Sequence, residues 1–319
     1  MGNIPGFDII GDIHGHYAML LKLLRQIGYI QNNSKNAAWH HPAGRRAIFV
    51  GDLIDRGPQP LECVRCVRTM VAAGSALCIL GNHEYNAILY RLGWRRLKPT
   101  DPHHSFLAQV PPGSAEYDEC LAWFWQLPLY LRCREFGVVH ACWDAAAMRT
   151  LHTLGMGKDN LVTARLYSMA GQGKNAPEGT PERTAYNALE NILKGVEIDL
   201  PAGTQFTDKD GTPRHKIRAR WWHSNAHTYR RAAFTDSGAV AQRIPDTPLH
   251  HKTFQPIALS HPVFIGHYWR SPRAEPAPLT PLLACVDYSA GVGGPLACYR
   301  WNAGDAPPLN ACRFVLAQP

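Results

Sequence analysis

The chain has 319 residues, of which 45% are hydrophobic, so it is long enough to bury a substantial core. Its formal net charge of +8 suits an anionic or phosphorylated substrate. No block of five or more like charges is present, which argues against a nucleic-acid-binding tail. No apolar run approaches the roughly 18 residues that are typical of a membrane span, so no membrane partner is expected.

The N-terminal residues and the cysteines together indicate a cytoplasmic protein. Residues 1–12 lack the basic start and the apolar run of a secretory signal peptide. The nine cysteines are an odd number in a chain too large to need disulfide bonds, which is typical of reduced thiols. Cys63 and Cys66 form a CxxC pair, but no second pair follows at zinc-site spacing, so we interpret both as packing residues.

Short apolar strands alternate with helices along the first 145 residues. The predicted strands span 7–10, 47–50, 76–80 and 136–139, and the predicted helices span 17–27 and 60–73. Such an alternation predicts a sheet covered by helices on both faces, with ligands bound beyond the carboxyl ends of the strands. We assign the fold to the α/β class, sandwich-like, with central mixed β-sheets flanked by helices.

Residues 145–235 differ from this pattern, because proline, glycine and charged residues are frequent there. A helix is predicted over 181–193, with Thr180 as its N-cap. We interpret 145–235 as a cap-like insertion over the site of a single domain that spans 1–319. A strand-rich part follows, with strands predicted over 263–265, 283–287 and 296–301.

Three histidine pairs lie outside the strand ends, in loop-like stretches that contain proline. They are His40–His41, His103–His104 and His250–His251. We interpret all three pairs as surface loop residues.

Polar side chains of metal-binding type follow the predicted strands. The segments are Gly-Asp-Ile-His-Gly (11–15), Gly-Asp-Leu-Ile-Asp-Arg-Gly (51–57), Gly-Asn-His-Glu (81–84), Val-His-Ala (139–141) and Gly-His-Tyr-Trp (266–269). Carboxylates combined with neutral imidazoles suit divalent ions such as Mn²⁺, Fe²⁺ or Zn²⁺, and the lack of cysteine argues against a structural zinc site. Because these residues end successive strands, we predict a metal centre at one edge of one sheet.

The ordered motifs resemble those of the calcineurin-like metallophosphoesterases. More narrowly, they are similar to bacterial-type PPP phosphatases, the serine/threonine phosphoprotein phosphatase class, whose signatures are GDxHG, GDxxDRG and GNHE. Residues 11–84 match these signatures almost without deviation, while His140 and His267 match more loosely and 145–260 matches little. The resemblance implies two divalent metal ions, with manganese expected first and iron, zinc or nickel as alternatives.

The resemblance also implies a role for each motif residue. The implied metal ligands are Asp12 and His14 for one ion, Asp52 as the bridge, and Asn82, His140 and His267 for the other. His83 would be the general acid, oriented by Asp55, and Arg56 would bind the phosphoryl oxygens. Metal-bound hydroxide would attack phosphorus directly, so no phosphoenzyme would be required.

Two segments depart from the family pattern. His140-Ala141-Cys142-Trp143 stands where His-Gly-Gly is usual, and Trp143 could either reshape the pocket or be an ordinary core residue. Tyr268 stands where the family usually has threonine. A second phosphate-binding arginine is expected before His267, and the candidates are Arg218 and Arg220, with Arg220 favoured because Trp221 would follow it directly into the core.

The substrate expected from these residues is a phosphomonoester, either a phosphoprotein or a small phosphoester. The alternative is a symmetrical dinucleoside polyphosphate such as diadenosine tetraphosphate, because bacterial tetraphosphatases share the metal-binding residues. Those enzymes typically have alanine at the position of Asp55, and this difference favours the monoester. A non-catalytic metal-binding scaffold is a further alternative, which the presence of His83 and all six ligands argues against. The sequence does not indicate an oligomeric state.

Overall fold

The computed structural model describes residues 4–32, 37–207, 213–235, 238–250 and 254–319. The strands in these ranges are β1 (Gly6–Ile10), β2 (Ile30–Gln31), β3 (Trp39–His40), β4 (Arg46–Phe49), β5 (Ala76–Cys78), β6 (Tyr130–Arg132), β7 (Gly137–Val139), β8 (Glu197–Asp199), β9 (Phe206–Thr207), β10 (Pro213–Arg214), β11 (Lys216–Arg218), β12 (Val263–Ile265), β13 (Leu283–Cys285), β14 (Leu296–Asn302) and β15 (Phe314–Ala317). The α-helices are α1 (Tyr17–Gln26), α2 (Pro60–Ala72), α3 (Asn82–Arg91), α4 (His104–Gln109), α5 (Ala115–Phe124), α6 (Ala145–Leu154), α7 (Ala164–Gly173), α8 (Pro181–Lys194), α9 (Tyr229–Ala232) and α10 (Gly238–Arg243). Short 3₁₀ helices span Lys158–Asn160, Ala290–Val292 and Ala311–Arg313.

Two mixed sheets form the centre of the molecule. The first has the strand order β15-β14-β1-β4-β5, and the second has the order β13-β12-β7-β6. In the first sheet β1 pairs in parallel with β4 and antiparallel with β14. In the second sheet β12 pairs in parallel with both β7 and β13, while β6 is antiparallel to β7. The predicted fold class is therefore confirmed.

The two sheets pack face to face through an aromatic cluster. The ring of Phe136, just before β7, lies 5.4 Å from that of Phe264 in β12 and 5.3 Å from that of Trp301 in β14. Side chains alternate between the two faces of a strand, so neighbouring residues of β1 enter different cores. Ile9 packs in this layer between the sheets, whereas Ile10 packs in the larger core that contains the helices.

Local sequence signals explain where the helices begin and end. Helix α1 ends at Gln26, and Gly28 follows with a φ of 92°, a backbone conformation that glycine adopts without strain. Helix α8 begins at Pro181, where the missing N–H of proline has no cost. The hydroxyl of Thr180 accepts a hydrogen bond from the backbone N–H of Arg183 at 3.2 Å, which confirms the predicted cap.

The strands that carry the motifs belong to two sheets, whereas the sequence predicted one sheet edge. Strands β1, β4 and β5 lie in the first sheet, and β7 and β12 lie in the second. All of these strands are buried apolar runs, and such runs do not reveal which strand pairs with which. The prediction of a single sheet was wrong, although the carboxyl ends of both sets meet at the same edge of the sandwich.

Residues 145–235 contain three helices that pack together and several short strand pairs. Helix α8 packs against both α6 and α7, β8 pairs with β11, and β9 pairs with β10. Residues 208–212 of this segment lie outside the described ranges. Its role as a cap stays a prediction.

None of the helices in the described part of the chain combines the length and the apolar composition needed to cross a membrane.

Replacing Phe136 with alanine should destabilise the protein by about 3–5 kcal/mol, because the change leaves a cavity between the two sheets. Urea unfolding followed by tryptophan fluorescence measures this loss. As a control, Ile30→Ala alters a side chain that is 47% exposed and should change the free energy of unfolding by no more than about 0.5 kcal/mol. Equal losses of stability in both variants would contradict the packing of Phe136 between the two sheets.

Candidate functional site

The predicted ligands come together where the central strands end. Asp12 lies two residues beyond β1, and His140 directly follows β7. Asp52 follows β4, Asn82 begins helix α3, and His267 follows β12. Parallel strands place their carboxyl ends together, which is why residues far apart in sequence meet here.

The carboxylate of Asp52 lies at the centre of the cluster. Its Oδ2 atom is 3.4 Å from Nε2 of His140 and 3.7 Å from Nε2 of His14. Two sets of potential ligand atoms lie within 4.8 Å of one another, and both sets include Asp52: one is His14, Asp52 and His83, and the other is Asp52, His140 and His267. This arrangement suits a carboxylate that bridges two ions.

Backbone carbonyls orient two of the imidazole rings. The Nδ1 atom of His14 lies 3.1 Å from the carbonyl oxygen of Ile54, and that of His140 lies 2.7 Å from the carbonyl oxygen of Val50. A carbonyl can only accept, so Nδ1 carries a proton in each ring, and Nε2 is the nitrogen that can serve as a metal ligand.

Unpartnered buried atoms and crowded carboxylates indicate that cations fit this cluster. Among the described residues, Asp12 Oδ1 and His267 Nε2 are buried without a hydrogen-bond partner. Burial and the charge of Asp287 raise the pKa of Asp12, and burial raises the pKa of Asp287 to about 6. Divalent ions would offset both the repulsion and the unsatisfied atoms, so the donor set fits the implied metals.

The pKa shifts of the ligands follow from burial and from Asp52. Burial, reinforced by the neighbouring His83, lowers the pKa of His14 to about 3, which keeps this ring neutral. Although burial opposes the charged form, Asp52 raises the pKa of His140 to about 10. Burial also opposes ionisation of Asp52, but His140 and His83 hold the pKa of its carboxyl well below the usual range.

Asp55 lies between two histidines. Its Oδ2 atom is 2.5 Å from Nδ1 of His83, and its Oδ1 atom is 2.8 Å from Nδ1 of His103. Although burial opposes ionisation, these hydrogen bonds hold the pKa of Asp55 below its ordinary value. Burial likewise opposes the charged form of His83, yet Asp52 and Asp55 raise the pKa of its ring.

The prediction that His103 is a surface residue was wrong. Its side chain is fully buried at the start of helix α4, and its Nδ1 atom faces Asp55. The neighbouring His104 is exposed, as predicted, and His251 lies outside the described residues.

Several residues of the cluster adopt a left-handed backbone conformation, which is uncommon for residues other than glycine. They are His14 (φ 47°), Asp52 (φ 52°), Asp55 (φ 70°), Arg56 (φ 67°) and His267 (φ 57°). Strain of this kind concentrates at functional sites, where the surrounding structure must hold it.

Glu84 holds two of the motif loops together. Its carboxylate accepts hydrogen bonds from the backbone N–H groups of Asp52 (2.9 Å), Leu53 (2.8 Å), Ile54 (3.3 Å) and Gly81 (3.2 Å). A Cβ atom at Gly81 would lie only 2.2 Å from the backbone nitrogen of Asp52, so only glycine fits there. The loops after β4 and β5 are thereby fixed to each other.

A cavity of about 640 Å³ opens onto the cluster. Its cationic lining residues are Arg56, Lys194, Arg214, Lys216 and Arg218, and its larger apolar ones include Phe206, Ile217, Phe234, Val240, Ile244 and Trp269. Most of these residues come from 145–235 and the segment after it, where Arg218 and Arg220 were the only phosphate-binding candidates expected from sequence.

Arg218 lines the cavity, whereas Arg220 does not. Strand β11 ends at Arg218, and the Arg220 guanidinium instead donates to the backbone carbonyl of Arg231 near the end of α9. Arg220, the candidate favoured from sequence, therefore does not face the cavity, and the phosphate-binding role of either arginine stays a prediction. Trp143 is a core residue, since it packs against Tyr130 and lies outside the cavity wall.

Asp287 is a site residue that the sequence analysis did not select. It directly lines the cavity, lies beside Asp12, and follows β13 at the same edge as the rest of the cluster. Its position as the last residue of the strand predicted over 283–287 was the signal that could have identified it.

Comparison with known proteins identifies the family. Residues 6–148 match the calcineurin-like phosphoesterase model. Over 187 residues the chain is 35% identical to the asymmetrical bis(5'-nucleosyl)-tetraphosphatase PrpE of Halalkalibacterium halodurans, an alignment that covers 57% of this chain and 72% of that protein. The chain belongs to the calcineurin-like phosphoesterase family, which confirms the recognition made from the motifs. Metal-dependent phosphoester hydrolysis is the general activity of such an enzyme.

Two further proteins are similar to this chain. A symmetrical bis(5'-nucleosyl)-tetraphosphatase of Methylococcus capsulatus is 36% identical over 140 residues, covering 43% of this chain and 44% of that protein. A solved structure of a cold-active protein-tyrosine phosphatase from a psychrophilic Shewanella aligns with a TM-score of 0.48 at 16% identity, covering 99% of this chain and 81% of that one. The TM-score and the identity of this structural match support no inference about activity.

Replacing Glu84 with alanine should cost at least about 3 kcal/mol of stability and lower the metal content, because four buried N–H groups lose their acceptor. Glu84→Gln keeps one acceptor oxygen and should lose less stability and less metal than Glu84→Ala. Thermal unfolding and metal analysis of the purified proteins measure the two effects. Glu178→Ala, at a side chain that is 75% exposed, is the control, and a Glu84→Ala protein that matched it would contradict the role described.

Proposed function

We propose that the protein hydrolyses the phosphoanhydride chain of dinucleoside polyphosphates, of which bis(5'-nucleosyl) tetraphosphates are the leading case. The observation that carries this proposal is the composition of the cavity. One cavity of about 640 Å³ is lined by the metal-type cluster, by cationic side chains and by aromatic and aliphatic side chains. Such a volume lies within the range of sites that enclose a whole small molecule, and it exceeds what a single phosphoryl group requires.

The lining suits each part of such a substrate. Arginine and lysine side chains bind phosphate oxygens along a polyphosphate, and aromatic side chains offer faces on which a nucleobase can stack. Phe206 lies in β9, which packs against α10, so its ring shares a wall of the cavity with Val240 and Ile244. The proposal also draws support from relatives that are named tetraphosphatases, although one of those alignments covers less than half of the relative.

The proposed metal ligands are Asp12, His14, Asp52, Asn82, His140 and His267. When bound, two divalent ions at such a centre activate water and neutralise charge on the phosphoryl group. Arg56 is exposed in the cavity wall and has no carboxylate within 4.0 Å among the described residues. Its guanidinium is therefore available to bind the non-bridging oxygens of the reacting phosphate.

His83 would act as the acid at the leaving oxygen. Its Nδ1 proton is donated to Asp55, so Nε2 is the atom that can hold a proton towards the cavity. Protonation matters most for a basic alkoxide and less for a phosphate leaving group. The His83–Asp55 pair is therefore the specific observation that favours the second candidate function, hydrolysis of phosphomonoesters.

A substrate panel distinguishes the two functions. Diadenosine tetraphosphate, p-nitrophenyl phosphate and a phosphopeptide should be compared by kcat/KM with Mn²⁺ and with a chelator. We expect the dinucleotide to be preferred and the chelator to abolish turnover. Two ADP molecules as products would indicate symmetrical cleavage, and ATP with AMP would indicate asymmetrical cleavage. Higher kcat/KM for either monoester would overturn the proposed substrate.

Replacing His83 with alanine should lower turnover of p-nitrophenyl phosphate by about 10²–10⁴-fold, because the leaving oxygen loses its proton donor. The loss should be smaller for diadenosine tetraphosphate, whose leaving group is a weak base. Initial rates and metal analysis of the same preparations test both statements. Loss of bound metal in this variant would mean that His83 is a ligand and would contradict its assignment as the acid.

A further inference from the structure

A second histidine contacts Asp55 on the side away from His83. The Nδ1 atom of His103 lies 2.8 Å from Oδ1 of Asp55, while Oδ2 of the same carboxylate faces His83 at 2.5 Å. One carboxylate therefore joins His103 to His83, which belongs to the cluster, and Asp55 itself is only 1% exposed. In the described part of the chain, its side chain has no other hydrogen-bond partner than these two rings.

The surroundings of His103 are otherwise apolar. Its ring centroid lies 5.4 Å from that of Phe106 and 5.8 Å from that of Tyr90. The Nε2 atom is buried and has no partner among the described residues, so Nδ1, which faces the Asp55 carboxylate, is the nitrogen that carries the proton. An apolar side chain would fill this space at lower cost, so the imidazole is explained by its one polar contact with Asp55.

The position of this ring is fixed independently of the metal cluster. His103 is the N-cap residue of α4, and its backbone N–H donates to the Asp101 carboxylate at 3.1 Å. Asp101 is held in turn by the guanidinium of Arg95. Asp55 stands in a loop with a left-handed backbone, whereas the ring that contacts its Oδ1 atom is anchored at the start of a separate helix.

We propose that His103 is a positioning residue that fixes the carboxylate of Asp55, so that His83 keeps its proton on Nδ1 and presents Nε2 to the cavity. This inference rests on the proposed hydrolytic function in one respect, because a fall in kcat can be measured only if the protein catalyses that hydrolysis. It holds for either candidate substrate, because both would use the same His83 ring.

Three variants test the proposal by kinetics. His103→Phe keeps a ring in the aromatic pocket but removes the donor, and kcat should fall about 10–100-fold while KM and metal content stay unchanged. His103→Asn retains an N–H donor near the position of Nδ1 and should restore most of kcat. His104→Phe, at the exposed neighbouring position, is the matched control and should behave like the native protein. Wild-type kcat in His103→Phe, or equal losses in the phenylalanine and asparagine variants, would overturn the proposal.

A spectroscopic measurement on the native protein decides the case if His103→Phe does not fold. Proton and nitrogen NMR of the histidine side chains should show hydrogen-bonded Nδ1 protons on both His83 and His103. An unprotonated Nδ1 on His103 would overturn the proposal. Because this signal needs no substrate, a protein that turned over none of the panel would refute the proposed function and leave the positioning role to be judged by NMR.

Discussion

The carboxylate of Glu84 binds the loop after β4 to the start of α3, and the geometry of the site depends on that contact. Four backbone N–H groups from the two loops converge on its two oxygens. The side chain is fully buried, so none of these hydrogen bonds competes with water. Asp52 and Asn82 stand on the two loops that are joined in this way, and the carboxylate therefore sets the distance between ligands from separate strands.

Contacts with the surrounding structure explain how the strained backbone of the cluster is maintained. His14, Asp52 and His267 each adopt a left-handed conformation that costs energy in an isolated loop. Hydrogen bonds from the rings to backbone carbonyls, the Glu84 contacts and the close approach of glycine backbones hold these residues in place. The protein's own contacts thus hold the cluster in one arrangement, and such preorganisation lowers the cost of binding an ion or a substrate.

Much of the fold and of the metal-type cluster was predictable from sequence, because the residues of the cluster lie shortly after the ends of buried strands. The residues that contact the cluster from other segments of the chain were harder to predict from sequence. His103 lies in a loop-like Asp-Pro-His-His stretch, and no local pattern reveals that a ring packs against a loop nearly 50 residues earlier. Which of Arg218 and Arg220 faces the cavity depended on where β11 ends, and element boundaries are the least certain part of such a prediction. The side chains that line the cavity come from segments without strong periodicity. Their combination of cationic, aromatic and aliphatic groups is therefore visible only in the structure.

The place of β1 in the first sheet ties the cluster to the last strands of the chain. This strand carries Asp12 and lies between β4 and β14, so Ile10 is paired with both Phe49 and Cys298. During synthesis, one edge of β1 stays unpaired until residues 296–302 have emerged, and contacts of such long separation form slowly. Proteolytic removal of β14 and β15 would bare the edge of that strand, and the exposed backbone groups would favour association between molecules. Pairing with β14 is therefore a condition for a complete sheet beside Asp12.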